Sequence, residues 1–516
     1  MQKTLLLVLS FLAVYVVKKY QDWRRAIRSI HDLPGFRHVF GTQASVLARR
    51  IPYLCTGSLS PWLRKHDDFV QYDSDIITGV RLFPCDATLF VADAEALKEI
   101  TSARTRFPKP LHEYEAVNLY GHNIVGTEAD EWKRHRKITA PSFSERNNRL
   151  VWDETIGIVQ ELCEDVWGGK DHVVENIVDV TIPLALFVIG TAGFGRRMSW
   201  KAEVDVSYGH TMPFKDALHV ISVELWIKAL LPSWFIRWAP IPRIRAFKTA
   251  YTELERYMIE MIEERRSSEK KEQRYDLFTS LLVASEEESD GITKLSDSEV
   301  MGNIFVFLIA GHETTAHTLA FTFILLALYQ DQQEIMYQQI KSVIPDDRLP
   351  SYEDMGKLTQ CYAVILETLR MYPPVCLIPK TTAEDTTLHT RNMAGEPIAI
   401  PCPAGTGIGI HVAGIHYNPR YWKDPYTFNP SRFLEDWPRD AFLPFSGGAR
   451  SCLGRRFSEM EAVAALAYII ARYRVEVKEE PQYAAETFEQ RKERMLTCKT
   501  AVTLYPAKAP LVFKRR

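Results

Sequence analysis

The chain opens on an uncharged, Leu/Val-rich run from Thr4 to Val17, set between Lys3 and Lys18-Lys19. Fourteen residues make about 21 Å of helix, short of the roughly 30 Å hydrocarbon core of a bilayer. Snorkelling lysines and interfacial Tyr15, Tyr20 and Trp23 close part of that gap. No small-x-small cleavage site follows, so residues 1–30 are expected to be an uncleaved signal-anchor helix with a basic linker. Five positive charges after the run (Lys18, Lys19, Arg24, Arg25, Arg28) against one before it orient the remainder toward the cytoplasm.

His31-Asp32-Leu33-Pro34-Gly35-Phe36 is a turn-forming break. Short apolar runs at 80–83 and 88–91 predict strands of a small sheet, and from Trp132 to about Leu369 the period is mainly helical. The longest helical pattern starts near Leu295-Ser296-Asp297-Ser298 and reaches about Tyr329, apolar on nearly every face. Such a helix lies inside a large protein or in a membrane. Gly311-His312-Glu313 in its middle is expensive in lipid, which predicts a central helix of a soluble domain. The charge-dense stretches 263–276 and 285–290 are expected to be solvated helix ends and loops. Residues 380–415 carry short β-like runs, and a last pair of strands is expected between Thr497 and Phe513. The pattern as a whole predicts a mainly α fold with small β-sheets (α+β).

Composition changes this picture little. The chain has 516 residues, 46% hydrophobic and 25% charged, with a net charge of −2, so there is no bulk electrostatic case for nucleic acid. Eight cysteines are scattered without a C-x-x-C pair, which argues against a disulfide scaffold or a zinc site. The lone N-x-S/T sequence, Asn429-Pro430-Ser431, is disqualified as a glycosylation acceptor by its proline.

Candidate chemistry centres on Phe445-Ser446-Gly447-Gly448-Ala449-Arg450-Ser451-Cys452-Leu453-Gly454. Glycines allow a tight turn and close approach to a flat cofactor, and backbone N–H groups can point at a metal-bound thiolate. The alternative is a buried structural cysteine in a glycine-rich turn. In Ala310-Gly311-His312-Glu313-Thr314-Thr315 an acid stands next to an alcohol, a pair able to hold water and pass protons; its alternative is a glycine packing site with threonines bonding the preceding turn. His312 and His317 are five apart, about 140° around a helix, and do not form the zinc pair of an H-E-x-x-H motif. Glu367 and Arg370 form an i,i+3 pair, and Trp132 and Arg136 share a helix face.

These segments, with Phe428-Asn429-Pro430-Ser431-Arg432-Phe433, resemble the cytochrome P450 superfamily, the haem-thiolate monooxygenases, in order and spacing across essentially the whole chain after the anchor. The resemblance implies the cytochrome P450 fold as one domain over 31–516, although length alone would suggest two or three domains. It also implies haem b with Cys452 as axial ligand, cradled by Phe445, Gly448, Arg450 and Gly454. Trp132, Arg136, Arg450 and Lys380 would reach the haem carboxylates, lysine standing where many relatives have arginine. Glu313 would be the proton source and Thr314 the alcohol beside the oxygen. Glu367, Arg370 and Arg432 would form a buried network that holds the cysteine loop; Ser431 replaces the family's usual Glu. His416 is equally a structural histidine or a cofactor contact. Lys133, Arg134, Lys137, Arg455 and Arg456 are either a docking face for an acidic electron donor or a solvated face. The implied partners are NADPH-cytochrome P450 reductase, cytochrome b5, a membrane and a lipophilic substrate. Terpenoids, sterols and fatty acids are the candidate substrates, with hydroxylation in secondary metabolism favoured and contacts expected from 107–130, the aromatic stretch 225–238, Phe307, Ala310 and 375–378. The implied location is the endoplasmic reticulum membrane with the catalytic domain in the cytosol. A haem-thiolate isomerase or dehydratase and a non-catalytic haem-binding protein are the rival readings.

Overall fold

The computed structural model describes residues 2–41, 49–200, 209–267, 276–286, 294–346, 348–392 and 394–516. Parts of both charge-dense stretches, 268–275 and 287–293, therefore lie outside the described residues. The first helix, Gln2–Ser29, is exposed over Thr4–Val17 and continues past the apolar run through the basic segment. Its end is buried: Ile27 and Ile30 cluster with Val80 and Ala87. His31 and Asp32, both at positive φ, turn the chain into the next strand.

By its contacts the chain divides into two compact units, each built from three separated stretches. The first unit (Met1–Pro110, Val375–Thr427, Pro438–Cys452) is built on a five-stranded sheet. Its strand order is Gly35–Phe40, Ile76–Phe83, Asp86–Val91, Gly407–His411, Leu377–Thr381. A two-stranded ladder, Thr386–Arg391 with Pro397–Cys402, adds to it. The runs expected at 80–83 and 88–91 are antiparallel partners in the main sheet.

The second unit (Leu111–Pro374, Phe428–Trp437, Leu453–Arg516) is mainly helical. Its axis is the helix Asp297–Leu328, 32 residues long, whose N-terminus is closed by a capping box of Ser296 and Glu299. Among the described residues only this helix and the N-terminal one are long and apolar enough to cross a membrane. The central helix is 83% buried over its apolar window, as expected of a core helix, whereas the N-terminal one has no buried part in that window. Between Thr497 and Phe513 the chain forms three strands rather than two. Cys498–Thr500 and Leu504–Pro506 make a hairpin, while Leu511–Arg515 lies between His172–Val174 and Tyr473–Val477.

The segment 119–126 crosses the start of the central helix at backbone contact. A Cβ on Gly121, at φ +147°, would stand 2.0 Å from Ser298 O, and one on Gly302 would stand 2.4 Å from Gly121 O. Both positions therefore require glycine. Gly302→Ala is expected to lower the unfolding free energy by about 1–3 kcal/mol in urea titrations, since backbone cannot yield as a side chain can. Gly356→Ala, whose Cβ meets nothing within 4 Å, should stay within about 0.5 kcal/mol of the parent. Equal midpoints for the two variants would refute the close approach.

Candidate active site

The cysteine loop lies at the end of the first unit. Its turn is closed by Cys452 N donating to Phe445 O at 2.9 Å, and Ser451 N donates to Gly448 O at 3.1 Å. Gly448 has φ +62°, and a Cβ there would sit 2.1 Å from Thr101 O at the end of helix Ala94–Ser102. Gly454, at φ −79°, has no such need of glycine. Cys452 is exposed and outside any disulfide, while Cys55, Cys163, Cys361 and Cys402 are buried. Burial pushes the thiols of Cys163, Cys361 and Cys376 up to about 12 and that of Cys402 up to about 11. Phe445 and Arg450 are half-buried. Lys380 is buried on strand Leu377–Thr381, opposite Ile408. His416 has a structural post: its Nε2 accepts from Leu443 N at 2.9 Å, and its ring stacks on Phe442, fixing the entry to the loop.

In the second unit the central helix is buried on every face except one line. Phe307, Ala310, Gly311 and Thr314, spaced three, one and three apart, are its accessible middle positions. The helix runs unbroken through Gly311, whose Cβ position lies 3.1 Å from Ile189 Cδ1. Thr314 donates from Oγ1 to Ala310 O at 2.7 Å. Glu313 is 6% exposed and has no ion-pair partner among the described residues. Burial pushes its carboxyl up to about 7, against a small opposing pull from the nearby Ser222 hydroxyl. An acid poised near neutrality beside an alcohol on an accessible line can take up and release a proton there. His312 Nδ1 bonds Leu308 O and His317 Nδ1 bonds Thr503 Oγ1, each at 2.7 Å, so the two imidazoles serve separate partners.

Trp132 is buried on helix Ala129–Thr139 with Ile124 and Val306, and Leu453 packs against the cluster. The Arg136 guanidinium lies 5.7 Å from the Trp132 ring centre and makes no ion pair among the described residues. A cation unclaimed by any carboxylate, beside an aromatic, suits an anionic cofactor edge. Glu367, fully buried, accepts from Arg370 Nε at 2.7 Å, from Arg432 Nε at 3.1 Å and from Asn429 N at 2.9 Å. The expected docking cations are largely spoken for. Lys133 pairs with Asp130, Arg134 with Glu299, and Arg455 and Arg456 with buried Glu459. Their charges were readable in the sequence, but these partners were not. The donor on the cysteine loop, an exposed thiol on a glycine turn, suits the thiolate ligand of a haem.

Comparison with known proteins agrees. The family model for cytochrome P450 matches residues 70–498. Cytochrome P450 monooxygenase 124 of Postia placenta is 68% identical over 517 residues, covering 100% of both chains. Cytochrome P450 monooxygenase prx9 of Penicillium rubens is 32% identical over 75% of this chain and 73% of its own. The cyclooctat-9-en-7-ol 5-monooxygenase of Streptomyces melanosporofaciens is 26% identical over 86% and 88%. The crystal structure of the cytochrome P450DA heme domain superposes with a TM-score of 0.73 at 22% identity, covering 89% of this chain and 94% of that one.

The Glu313 carboxyl titrates above the ~4.3 of an unfolded glutamate. The stability it contributes as a neutral acid is full below about pH 4 and lost as pH rises through about 7. Glu313→Gln, neutral at all pH, should gain stability over the parent between pH 5 and 8.5 by about 1–3 kcal/mol; melts showing the same difference at both pH values would rule out the raised acid. Glu367→Ala takes the carboxylate from the buried Arg370 and the partly buried Arg432 and should cost about 3–5 kcal/mol in urea unfolding.

Proposed function

The chain belongs to the cytochrome P450 family, and on that premise we propose that it is a membrane-anchored haem-thiolate monooxygenase that hydroxylates a lipophilic substrate. The observation that carries the reading is the exposed Cys452 thiol at the close of the Phe445–Cys452 turn. Residues 31–516 act as one haem-binding domain in this reading, with 1–30 as signal-anchor and linker. Cys452 would hold haem b through its thiolate, and the bound group would supply an iron able to activate dioxygen.

The chain's own groups do the rest. In this reading Arg136 and Trp132, with Arg450 and Lys380, would hold the haem carboxylates. Phe445, Gly448 and Gly454 shape the turn around the sulfur. Glu313, half-protonated near neutral pH, takes protons in and passes them toward the Thr314 hydroxyl. That hydroxyl must give up its bond to Ala310 O to reach a neighbour on the accessible line. Phe307 and Ala310 on the same line present apolar surface to substrate. The Glu367, Arg370, Arg432 network keeps the region around 428–433 rigid and so supports the cysteine loop.

A P450 monooxygenase needs a redox partner and a lipophilic substrate. For this chain we take the partner to be NADPH-cytochrome P450 reductase, with cytochrome b5 as a second donor, and the site to be the endoplasmic reticulum membrane. The exposed N-terminal helix supports the anchor, and Trp234 and Trp238, 68% and 77% exposed, support a second touch on the lipid surface. Terpenoids, sterols and fatty acids are the substrate classes to screen, by the low- to high-spin shift they induce.

The reduced protein with carbon monoxide should show the strongly red-shifted Soret band of a thiolate ligand, and Cys452→His should lose it. A band at the histidine-ligand position in the parent would sink the assignment. NADPH- and oxygen-dependent product formation with added reductase separates the monooxygenase from an isomerase or a haem carrier.

A further inference from the structure

His135 lies between Trp132 and Arg136 on the helix Ala129–Thr139 and is completely buried. Facing it is Asn303, also completely buried, about two turns into the central helix. The orientation of the Asn303 amide is fixed at both ends. Its Oδ1 accepts from Ile124 N at 3.1 Å, and its Nδ2 donates to Glu299 O at 2.7 Å. The same Nδ2 stands 2.9 Å from His135 Nδ1. Turning the amide over would set oxygen against oxygen and N–H against N–H. The imidazole Nδ1 is therefore an acceptor, and the ring proton sits on Nε2. Nε2 is buried and stands 3.4 Å from Glu299 Oε1 without a hydrogen bond to it, with Glu131 in the same group.

Glu131, His135 and Glu299 bring three ligand atoms within 4.8 Å of one another. The hydrogen bonds rule out a cation there. A metal needs the Nε2 lone pair, and Arg134 already bonds both oxygens of Glu299. The cluster is a proton-ordered clamp instead, joining helix 129–139, segment 119–126 and the central helix where Gly121 and Gly302 touch.

We propose that Asn303 is a positioning residue: by donating to His135 it fixes the neutral, Nε2-protonated imidazole and thereby sets the register that holds Trp132 and Arg136. The consequence for haem rests on reading those two side chains as haem-carboxylate contacts. The charged and titratable groups facing His135 are Glu131 and Arg134 on its own helix and Glu299 on the central helix, with His122 reaching Glu131 at 2.7 Å. Burial holds the imidazole below its usual value, in keeping with a neutral ring.

The experiment follows haem loss from the holoprotein to excess apomyoglobin between pH 6 and 8.5. The parent gives the reference rate at each pH. Asn303→Leu removes the donor and should raise the loss rate about tenfold at every pH, the low end of what an orienting partner is worth. Asn303→Asp supplies an acceptor, so the ring must carry both protons between Asp and Glu299. Its folded pKa is then raised, so the clamp holds at pH 6 and fails as pH rises, and the loss rate climbs with it. Asp-variant rates equal to the parent at all pH overturn the proposal. So does stoichiometric Zn2+ binding that His135→Gln abolishes. If Asn303→Leu does not fold, the Asp variant at pH 6 and 8.5 carries the test alone. Nitrogen-15 spectra of histidine-labelled protein, with His135→Gln to assign the signal, read the tautomer without haem; a parent ring protonated on Nδ1 overturns the clamp. A parent lacking the thiolate carbon monoxide band would defeat the haem reading while leaving that tautomer result standing.

Discussion

A helix of 32 residues buried on nearly every face leaves its polar side chains no water to turn to. Each must be answered from within, and most are answered by the helix itself. Thr314, Thr318 and Thr322 bond the carbonyls four residues back, at 2.7, 2.8 and 2.8 Å. His312 does likewise. Others tie the helix to its neighbours: Thr315 to Ser458, His317 to Thr503, Thr322 to Thr368 and Asn303 to Ile124. Glu313 meets no cation, only the Ser222 hydroxyl, and among the described residues its main recourse is to keep a proton.

Three buried carboxyl groups show how burial can end in different chemistry. Glu367 is ionically satisfied by two arginines and a backbone N–H, an arrangement whose worth lies in being complete. Glu461, wholly buried with neither oxygen hydrogen-bonded, is driven far toward the neutral acid by desolvation alone. Glu313 stands between them, close enough to neutrality to exchange its proton under ordinary conditions. Pairing makes a carboxylate rigid, full desolvation makes it inert, and partial desolvation makes it responsive.

Features carried by local spacing were legible in the sequence. Ser296 and Glu299 mark the start of the central helix because a capping box is a short-range device. The Phe445–Gly454 turn, the Glu313-Thr314 pair and Glu367 with Arg370 are each contained within ten residues. What depends on distant partners was not readable. His416 became structural only once Leu443 N was found opposite it, and Asn303 is a lone amide on an apolar helix until Ile124 and His135 are placed beside it. The basic residues show the same limit, since Arg134 meets Glu299 across 165 positions of chain. The strand Tyr473–Val477 follows directly on helix Arg455–Arg472 with no glycine or proline between them. Nothing there signals the change of period.

Burial sorts the eight sulfurs. A chain with eight cysteines offers eight soft donors to any metal that meets it. Four are shut in the interior, and the thiols of Cys163, Cys361, Cys376 and Cys402 are held protonated by burial, a form that does not ligate. Cys452 is exposed on its loop, where its N–H closes a backbone turn to Phe445 O. Burial thus narrows the soft donors open to a metal, leaving Cys452 as the exposed one of the eight.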